Sequence, residues 1–430
     1  MKSPKQPSQT PTSIKGGGPL SDLIPLIMET FVAQSKFKDP SGKNNAPNPF
    51  LHWQTAKQLL KFRLVSKAWC ASVTPVAFHS ICLDKPRRIE SILDNWARGK
   101  STINADFSPV QRLAIKNLSY KTVDVKNLDG NKRRAPVSTD LAIEVITTFK
   151  HSLTTLYLEF GTSIGFQPGL IDSIQQLKNL KNLTITTTRG PDFQTGPDEY
   201  SESLANLLNV LPNLEVLRLD ELWLGFLDLQ PQALSKLRSF RFAYCQAMEV
   251  NPVSHLFNHI KDTVKVLDST NSHRTEKLEA VLKPLIGSLE GLVTEEVPGE
   301  FTDFLIGSNF PKLRVVQVEW PRAEEDPGKP TSWLGSPMFQ NVRTLIVDHY
   351  RFNGPHFEEI LSKKGEGAFV KPPNLKHVVF IQKIGKFVQT QREKDLAKEL
   401  ESHGIQCHYS YPISFEEILG YDESLNGPMN

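Results

Sequence analysis

Leu214-Glu215-Val216-Leu217-Arg218-Leu219 is the clearest copy of the pattern that decides this fold. An apolar residue is followed by two variable residues, a second apolar residue, one variable residue and a third apolar residue. The last two apolar positions alternate with period two, which is the spacing of side chains on one face of a β-strand. The pattern therefore predicts a short strand wherever it occurs.

The pattern occurs ten times, with starts 23 to 43 residues apart. Two copies are weaker, because Ser269 and Thr294 stand in place of the third apolar residue. The copies are Val110/Leu113/Ile115, Leu153/Leu156/Leu158, Leu180/Leu183/Ile185, Leu214/Leu217/Leu219, Leu237/Phe240/Phe242, Val264/Leu267, Leu289/Leu292, Leu313/Val316/Val318, Val342/Leu345/Val347 and Leu375/Val378/Phe380.

Helical patterns separate the predicted strands. Apolar residues recur at spacings of three and four, as in Leu141/Val145/Phe149 and Leu170/Ile174/Leu177, which predicts helices with one apolar face. Strands and helices that alternate at this period predict parallel strands stacked repeat upon repeat, because each unit needs its neighbours to complete a core. The stretch 403–407 follows the last helical pattern and predicts a closing strand.

The repeats resemble leucine-rich repeats, whose units open with Leu-x-x-Leu-x-Leu. The resemblance implies an α/β fold: an irregular horseshoe-shaped solenoid over residues 110–415, with strands on the concave face. The Asn or Cys that normally follows the opening is absent and the period is irregular, so the repeats are divergent. A doubly wound α/β sheet is the alternative, which we disfavour because no glycine fingerprint accompanies the strands.

A second informative stretch precedes the repeats, running from Leu59 through Arg63-Leu64-Val65-Ser66-Lys67-Ala68-Trp69 to Pro75 and Phe78. Its apolar spacing predicts an amphipathic helix, with Leu60, Leu64 and Trp69 near one face and Val65 beside them.

This stretch resembles the second half of an F-box, in which leucines lead into Arg-Leu-Val-Ser-Lys-x-Trp and then Pro and Phe. The first half departs from the family: Ser21 stands where Pro usually follows the opening Leu, and Leu23 where an acid is usual. A polar stretch at about 35–48 reads as an inserted loop, a feature associated with fungal members. The resemblance implies a small all-helical unit that docks a Skp-type adaptor of a cullin–RING ubiquitin ligase of SCF type.

The residues expected to bind the adaptor or form the core of this unit are Leu20, Ile24, Ile27, Leu60, Leu64, Val65 and Trp69. Two other interpretations stay open. The unit could be an ordinary pair of apolar helices that caps the solenoid, and the protein could be a ligase-independent repeat scaffold whose F-box is degenerate.

Charge is unevenly distributed along the chain. Residues 1–138 contain 22 Lys and Arg against 9 Asp and Glu, whereas the remainder contains 28 against 38. In the implied horseshoe, acidic residues that follow the third apolar position would line up on the concave face and favour a basic protein target. The target-binding candidates are Tyr157, Glu159, Arg218, Asp220, Arg241, Glu295, Glu319 and Asp348. The alternative is that these acids are solvated strand ends.

The sequence predicts no enzyme, because common catalytic, nucleotide and zinc motifs are absent. We expect no cofactor, no metal, no nucleic-acid partner and no membrane span. Four widely spaced cysteines favour a reducing compartment, the cytoplasm or the nucleus. The predicted organisation is a disordered tail at 1–18, the helical unit at 19–83, a linker at 84–109, the repeats at 110–415 and a frayed tail at 416–430.

Overall fold

The computed structural model describes residues 23–33, 50–51, 53–96, 108–120, 135–161, 164–188, 198–243, 249–269, 275–294, 301–318, 334–348, 371–381 and 391–428. Within these ranges, thirteen strands form one sheet in which every strand pair is parallel. Spatial order follows chain order, apart from a two-residue strand at the side of the second. The described part is thus an α/β solenoid-like fold, as the repeats predict.

The described strands are β1 (Ser80–Leu83), β2 (Arg112–Ser119), β3 (Val137–Ser138), β4 (Thr155–Phe160), β5 (Asn182–Thr187), β6 (Val216–Asp220), β7 (Ser239–Phe242), β8 (Val266–Ser269), β9 (Gly291–Thr294), β10 (Val315–Val318), β11 (Thr344–Asp348), β12 (His377–Ile381) and β13 (Gln406–Ser410). The described helices are α1 (Leu23–Ala33), α2 (Trp53–Phe62), α3 (Lys67–Phe78), α4 (Pro86–Trp96), α5 (Thr139–Thr148), α6 (Pro168–Gln175), α7 (Asp198–Asn209), α8 (Val250–Ile260), α9 (Thr275–Leu282), α10 (Asp303–Gly307), α11 (Gln391–Ser402) and α12 (Ile418–Asn426).

All ten predicted strands are present. Their second apolar residues align across the sheet, as in the parallel pairs Leu156–Leu183 and Leu345–Val378. The first and third apolar residues share a face with the second and pack against helices α4 to α11, where they form the main hydrophobic core. The predicted closing strand is confirmed as β13. It follows Gly404, whose φ of +73° lets the amide of Ile405 bond back to Leu400 and end α11.

Asparagines stabilise the turns that lead into several strands. The side-chain amides of Asn179, Asn341 and Asn374 donate to backbone carbonyls of the preceding repeat, at 2.9, 3.2 and 2.8 Å. Each of these asparagines stands directly before the first apolar residue of a repeat. In these repeats an Asn thus stands before the pattern instead of after it, and its side chain satisfies a turn carbonyl of the preceding repeat.

The sheet begins earlier than the sequence predicts. Strand β1, placed by prediction inside the helical unit, pairs with β2 over Ser80–Leu83. The predicted joint at 84–109, in which a helix is expected around residues 89–96, begins with helix α4, which buries Ile89 and Leu93 completely in the main core. The boundary was missed because the segment before α4 lacks the full repeat pattern, while its short strand still completes the edge of the sheet.

The single helix predicted across Leu59–Trp69 is also wrong. Helix α2 ends at Phe62, and α3 begins after Ser66. The Ser66 hydroxyl accepts a hydrogen bond from the backbone amide of Trp69 at 3.3 Å. A serine at this position is a strong N-cap, so it starts a new helix rather than continuing the old one. Arg63, Leu64 and Val65, which precede Ser66, form a tight turn in which each amide donates a hydrogen bond to the carbonyl three residues back.

The C-terminal end is ordered rather than frayed. Residues 418–426 form helix α12, which packs on the face of the sheet opposite the other solenoid helices. Its side chains are anchored by partners about a hundred residues away, a contact that no local pattern predicts. The predicted tail at 1–18 and the loop at about 35–48 lie outside the described residues.

Candidate functional site

The front face of the sheet, defined here as the face opposite helices α4 to α11, is the surface that the repeats predict as concave. Its central row aligns one residue from each strand of the main path from β2 to β13. The row consists of Ala114, Tyr157, Thr184, Arg218, Arg241, Asp268, Val293, Gln317, Ile346, Val379 and His408. Predicted candidates therefore do reach this face.

The acidic candidates on the front face are neutralised by neighbours in the same sheet. Glu159 lies 3.1 Å from the ammonium of Lys116 and also accepts the hydroxyl of Tyr157 at 3.1 Å. Asp220 accepts from Arg241 Nε at 3.1 Å. Paired carboxylates in a buried position present little free charge to a partner. Glu159 and Asp220 therefore stand on this face as paired carboxylates, and their part in target binding stays a prediction.

The basic candidates are paired as well. The guanidinium of Arg241 bridges two strands, because its Nη1 also contacts Asp268 at 3.2 Å. Arg218 donates to Glu416 from the C-terminal segment and lies 4.9 Å above the ring of Phe415. Tyr157 is buried against Phe50.

Three of the predicted target-binding side chains lie outside the part of the chain that the structure describes. Glu295 and Glu319 lie outside the described residues. Asp348 ends strand β11, but its side chain lies outside the described part. Their contribution to an acidic ridge stays a prediction.

A row of basic residues, which the sequence analysis missed, borders the front face where the strands begin. The backbone amide of each residue in this row after the first donates a hydrogen bond to the backbone carbonyl of the row residue before it, for instance from Arg343 N to Arg314 O at 2.8 Å. Six of the ten are Lys or Arg and two are Glu. The basic row is Gln111, Thr154, Lys181, Glu215, Arg238, Lys265, Glu290, Arg314, Arg343 and Lys376. In the sequence, each residue of the basic row stands directly after the first apolar residue of a repeat, so this position could have revealed the row.

The C-terminal segment, residues 411–428, covers the front face over much of its length. Ile413, Phe415 and Ile418 are buried there against apolar residues of strands β6 to β12. Gly291 permits this approach, because a Cβ at that position would lie 2.9 Å from Ile418 Cδ1. The segment is therefore fitted to the sheet rather than laid loosely over it.

A buried charge network anchors helix α12 to the basic row. Asp422 is fully buried and accepts hydrogen bonds from Arg343, from Arg314 Nη1 at 3.2 Å and from the hydroxyl of Thr344 at 2.7 Å. Glu423 contacts Arg314 Nη2 at 2.9 Å. Multiple charge-assisted bonds of this kind compensate the desolvation of a buried carboxylate.

Electrostatic neighbours keep the Arg314 guanidinium charged despite its burial. Burial by itself would lower its pKa, but the hydrogen bond to Glu423 and the nearby carboxylates of Asp422 and Glu290 raise the pKa above its ordinary value. Arg314 therefore offers a permanent positive charge to any acidic group that lies on this part of the face.

The helical unit, formed by α1, α2 and α3, has its own small core. Ile24, Met28, Leu59, Val73 and Ala77 are buried in it. Leu60 is partly buried against this core, and Trp69 stacks on Phe62 with ring centroids 5.4 Å apart. Among the adaptor-site candidates, Ile24, Leu60 and Trp69 thus stabilise the unit itself.

The other described candidates in the helical unit point to solvent. Leu64 and Val65, in the turn between α2 and α3, are 89% and 64% exposed. Ile27 is 48% exposed, on the same side of α1 as the exposed residues Leu23 and Leu26. Leu20 lies outside the described residues. Exposed apolar side chains in a small unit are typical of a protein–protein contact.

No cluster of three or more His, Cys, Asp or Glu in the described ranges has an arrangement suited to a metal ion. Burial raises the pKa of the Cys407 thiol to about 12, which keeps it protonated and unreactive near neutral pH. None of the described helices combines the length and the apolar character that a membrane crossing requires.

Comparisons with known proteins leave the family open. A scan against models of protein families finds no match to this sequence, and a search of curated proteins finds no similar one.

Proposed function

We propose that this chain is a substrate-receptor subunit of an SCF-type cullin–RING ubiquitin ligase, in which an F-box-like helical unit docks a Skp-type adaptor and divergent leucine-rich repeats bind a protein target. The observation that carries the proposal is the exposed pair Leu64 and Val65 in the turn before α3. The pair lies within the stretch that resembles an F-box.

The exposure of Leu64 and Val65 is informative because the helical unit has other means of burying apolar side chains. Its core is closed by residues of all three helices, and Phe31 contacts Phe62 edge to face at 6.1 Å. The turn residues contribute nothing to that core. Leaving large apolar groups in water lowers solubility without adding stability, so a partner that covers them is the simplest physical reason for their presence.

The position of the unit at the beginning of the solenoid suits a receptor. Helix α3 contacts the start of the solenoid through Phe78, whose ring lies 5.0 Å from that of Trp96 in an edge-to-face contact. A ligase adaptor at the unit and a target on the sheet would then be held at a fixed spacing. Such tethering raises the effective concentration of one bound protein near the other.

The test is co-purification of the full chain with a Skp-type adaptor. Leu64→Asp and Val65→Asp place a charge in the proposed contact, and each is expected to weaken binding by about 2 kcal/mol or more, roughly thirtyfold. Val250→Asp is a matched control, because Val250 is also partly exposed and starts α8. An acid there is favourable to the helix dipole, so folding is preserved.

The outcomes separate a ligase receptor from its rival. Adaptor binding that is lost in the turn variants and kept in Val250→Asp supports the proposal. Trp69→Ala is unsuitable as a binding variant, because it removes the stacking on Phe62 and weakens the unit itself. A wild-type chain that does not bind the adaptor refutes the ligase function. The repeat scaffold with a degenerate F-box then becomes the better interpretation.

A further inference from the structure

The front face has an apolar strip that does not belong to the main core. The strip is made of Val216, Val266, Val293, Val315, Ile346, Val379 and Ile381. The main core lies behind the sheet, and it includes none of these residues and none from the C-terminal segment. The strip therefore adds little to the solenoid core, and its apolar surface requires a cover.

The strip is bordered by positive charge. Arg314 and Arg343 of the basic row stand beside it, and Arg218 lies in the central row next to Val216. Arg314 keeps a contact of 3.1 Å with Glu290 of the neighbouring repeat. The contacts of Arg218 with Glu416 and of Arg343 with Asp422 are made to the C-terminal segment. A cover that matches this surface must be apolar on one side and acidic at its border.

The C-terminal segment has that chemistry. Phe415, Ile418 and Asp422 fall at spacings of three and four and are buried against the sheet, while Glu417 and Ser424 on the other side are exposed. Its acids Glu416, Asp422 and Glu423 contact the three arginines. The segment thus shows which kind of helix the front face accepts.

The fit of the segment leaves hydrogen-bond capacity unused. The Nε atoms of Arg314 and Arg343 are buried and have no hydrogen-bond partner among the described residues. An unsatisfied buried donor weakens a complex, and a ligand that supplies the missing acceptor binds more tightly. The segment compensates through its tether, since it follows β13 directly and has a high effective concentration at the face.

We propose that the front face over β6 to β12 binds acidic amphipathic helices of a partner protein, and that the C-terminal segment is a tethered occupant which such a helix displaces. This refines the part of the proposed function in which the sheet binds a target. The charge is opposite to that of the basic target expected from the acidic strand ends. The helical unit plays no part in this binding.

The test uses the full chain with a protease-recognition sequence inserted next to Tyr411, which is 75% exposed and tolerates insertion. The probe is a fluorescein-labelled peptide with the sequence of residues 411–428, and its binding is followed by fluorescence anisotropy. The uncut chain should bind it weakly. After cleavage and gel filtration, the affinity should rise at least tenfold, while thermal melting of the solenoid stays cooperative.

A charge-reversed peptide tests the recognition. With Glu416→Lys and Asp422→Lys in the peptide, binding to the cut chain should fall at least tenfold. Equal binding of both peptides would refute acidic recognition. A segment that fails to exchange with excess peptide, or a solenoid that unfolds when the segment leaves, would show that the segment is a permanent part of the fold.

A second variant opens the face without cutting the chain. Ile418→Asp places a carboxylate in the apolar strip beside Gly291 and should release the segment, whereas Tyr411→Asp is a matched control at an exposed position. Only the first should gain affinity for the labelled peptide. Light scattering of the uncut chain should show a monomer. A dimer whose two copies exchange C-terminal segments would show that the front face binds a second copy of this chain, and would overturn the proposal of a different partner protein. The adaptor binding proposed at Leu64 and Val65 should be unaffected by all these changes, so each proposal can fail without the other.

Discussion

Charged residues at equivalent strand positions have different surroundings in this protein. Glu159, the second-last residue of β4, and Asp220, the last residue of β6, each lie 3.1 Å from a basic partner in the sheet. Asp422, which lies far from the repeats in sequence, is the acid with the deepest burial and with two arginine partners. Burial strengthens electrostatic interactions, so Asp422 affects stability far more than an exposed acid does.

Asp422→Ala should release helix α12 from the sheet. The change leaves the buried guanidiniums of Arg314 and Arg343 without their shared carboxylate, which costs about 3–5 kcal/mol in buried pairs. Native-state hydrogen exchange should then show α12 amides exchanging at least ~100-fold faster.

Lys181→Ala is the control for this prediction. Lys181 pairs with Glu215 at 3.0 Å on the surface, where both side chains are well exposed. Exposed pairs contribute about 0–1 kcal/mol, so exchange in α12 should hardly change. Slow exchange of α12 in Asp422→Ala would show that the apolar contacts of the segment suffice to hold it.

At the scale of elements, local patterns account for the strands and most helices. The opening of each repeat alternates with period two, and the segments between repeats have helical spacing, so backbone geometry alone makes both predictable. The helix break after Phe62 follows from Ser66, a capping signal visible in the sequence. The apolar spacing alone predicts an unbroken helix with Leu64 on its apolar face. A strong cap outweighs a continuing apolar pattern, because it satisfies amides that otherwise lack partners.

The contact between β12 and β13 should weaken in mild acid. His377 Nδ1 and His408 Nε2 are 2.9 Å apart, and one ring must be neutral to accept the shared hydrogen bond. Burial lowers the pKa of His377, as does the neighbouring His408, and burial also lowers the pKa of His408. Lys376 and Arg343 act in the same direction on His377, while Asp422 opposes them.

The sign of the pH effect follows from these shifts. A lowered pKa in the folded state means that the unfolded chain takes up protons first, so stability is full above about pH 6.5 and declines as pH falls through the folded-state values. The melting temperature should therefore fall below pH 6.5 in the wild type and fall less steeply in His408→Gln. Identical slopes in the wild type and in His408→Gln would contradict the prediction.

The described residues form three larger apolar clusters: one within the helical unit, one behind the sheet and one under the C-terminal segment. A fourth, small cluster joins Phe50 to Ala114 and Tyr157. An aromatic chain joins the first two of the larger clusters. Trp96 contacts Phe78 of α3 on one side and Phe149, just after α5, at 5.8 Å on the other. Because Trp96 contacts both the helical unit and the solenoid, we expect it to couple the unfolding of the two parts.

Trp96→Ala should uncouple the helical unit from the solenoid. Loss of a large aromatic side chain costs about 3–5 kcal/mol, and here the loss falls at the junction. Differential scanning calorimetry should show the shared transition split into two. Phe166→Ala is a matched control, because its ring contacts Phe160 inside the solenoid at 5.4 Å. That variant should melt at a lower temperature without splitting, and a split in both variants would contradict the role of the junction.

The amino-acid sequence by itself determined the ten repeat strands, the closing strand and the parallel α/β arrangement, because period and turn chemistry act between residues a few positions apart. It also determined that an apolar stretch with a serine cap precedes the repeats. Only the tertiary structure decided that Ser80–Leu83 extends the sheet, that Glu159 and Asp220 are neutralised, and that the last helix covers the front face. These features depend on contacts between distant residues, such as Arg314 and Asp422, whose meeting requires the whole solenoid to bring the basic row and the chain end together.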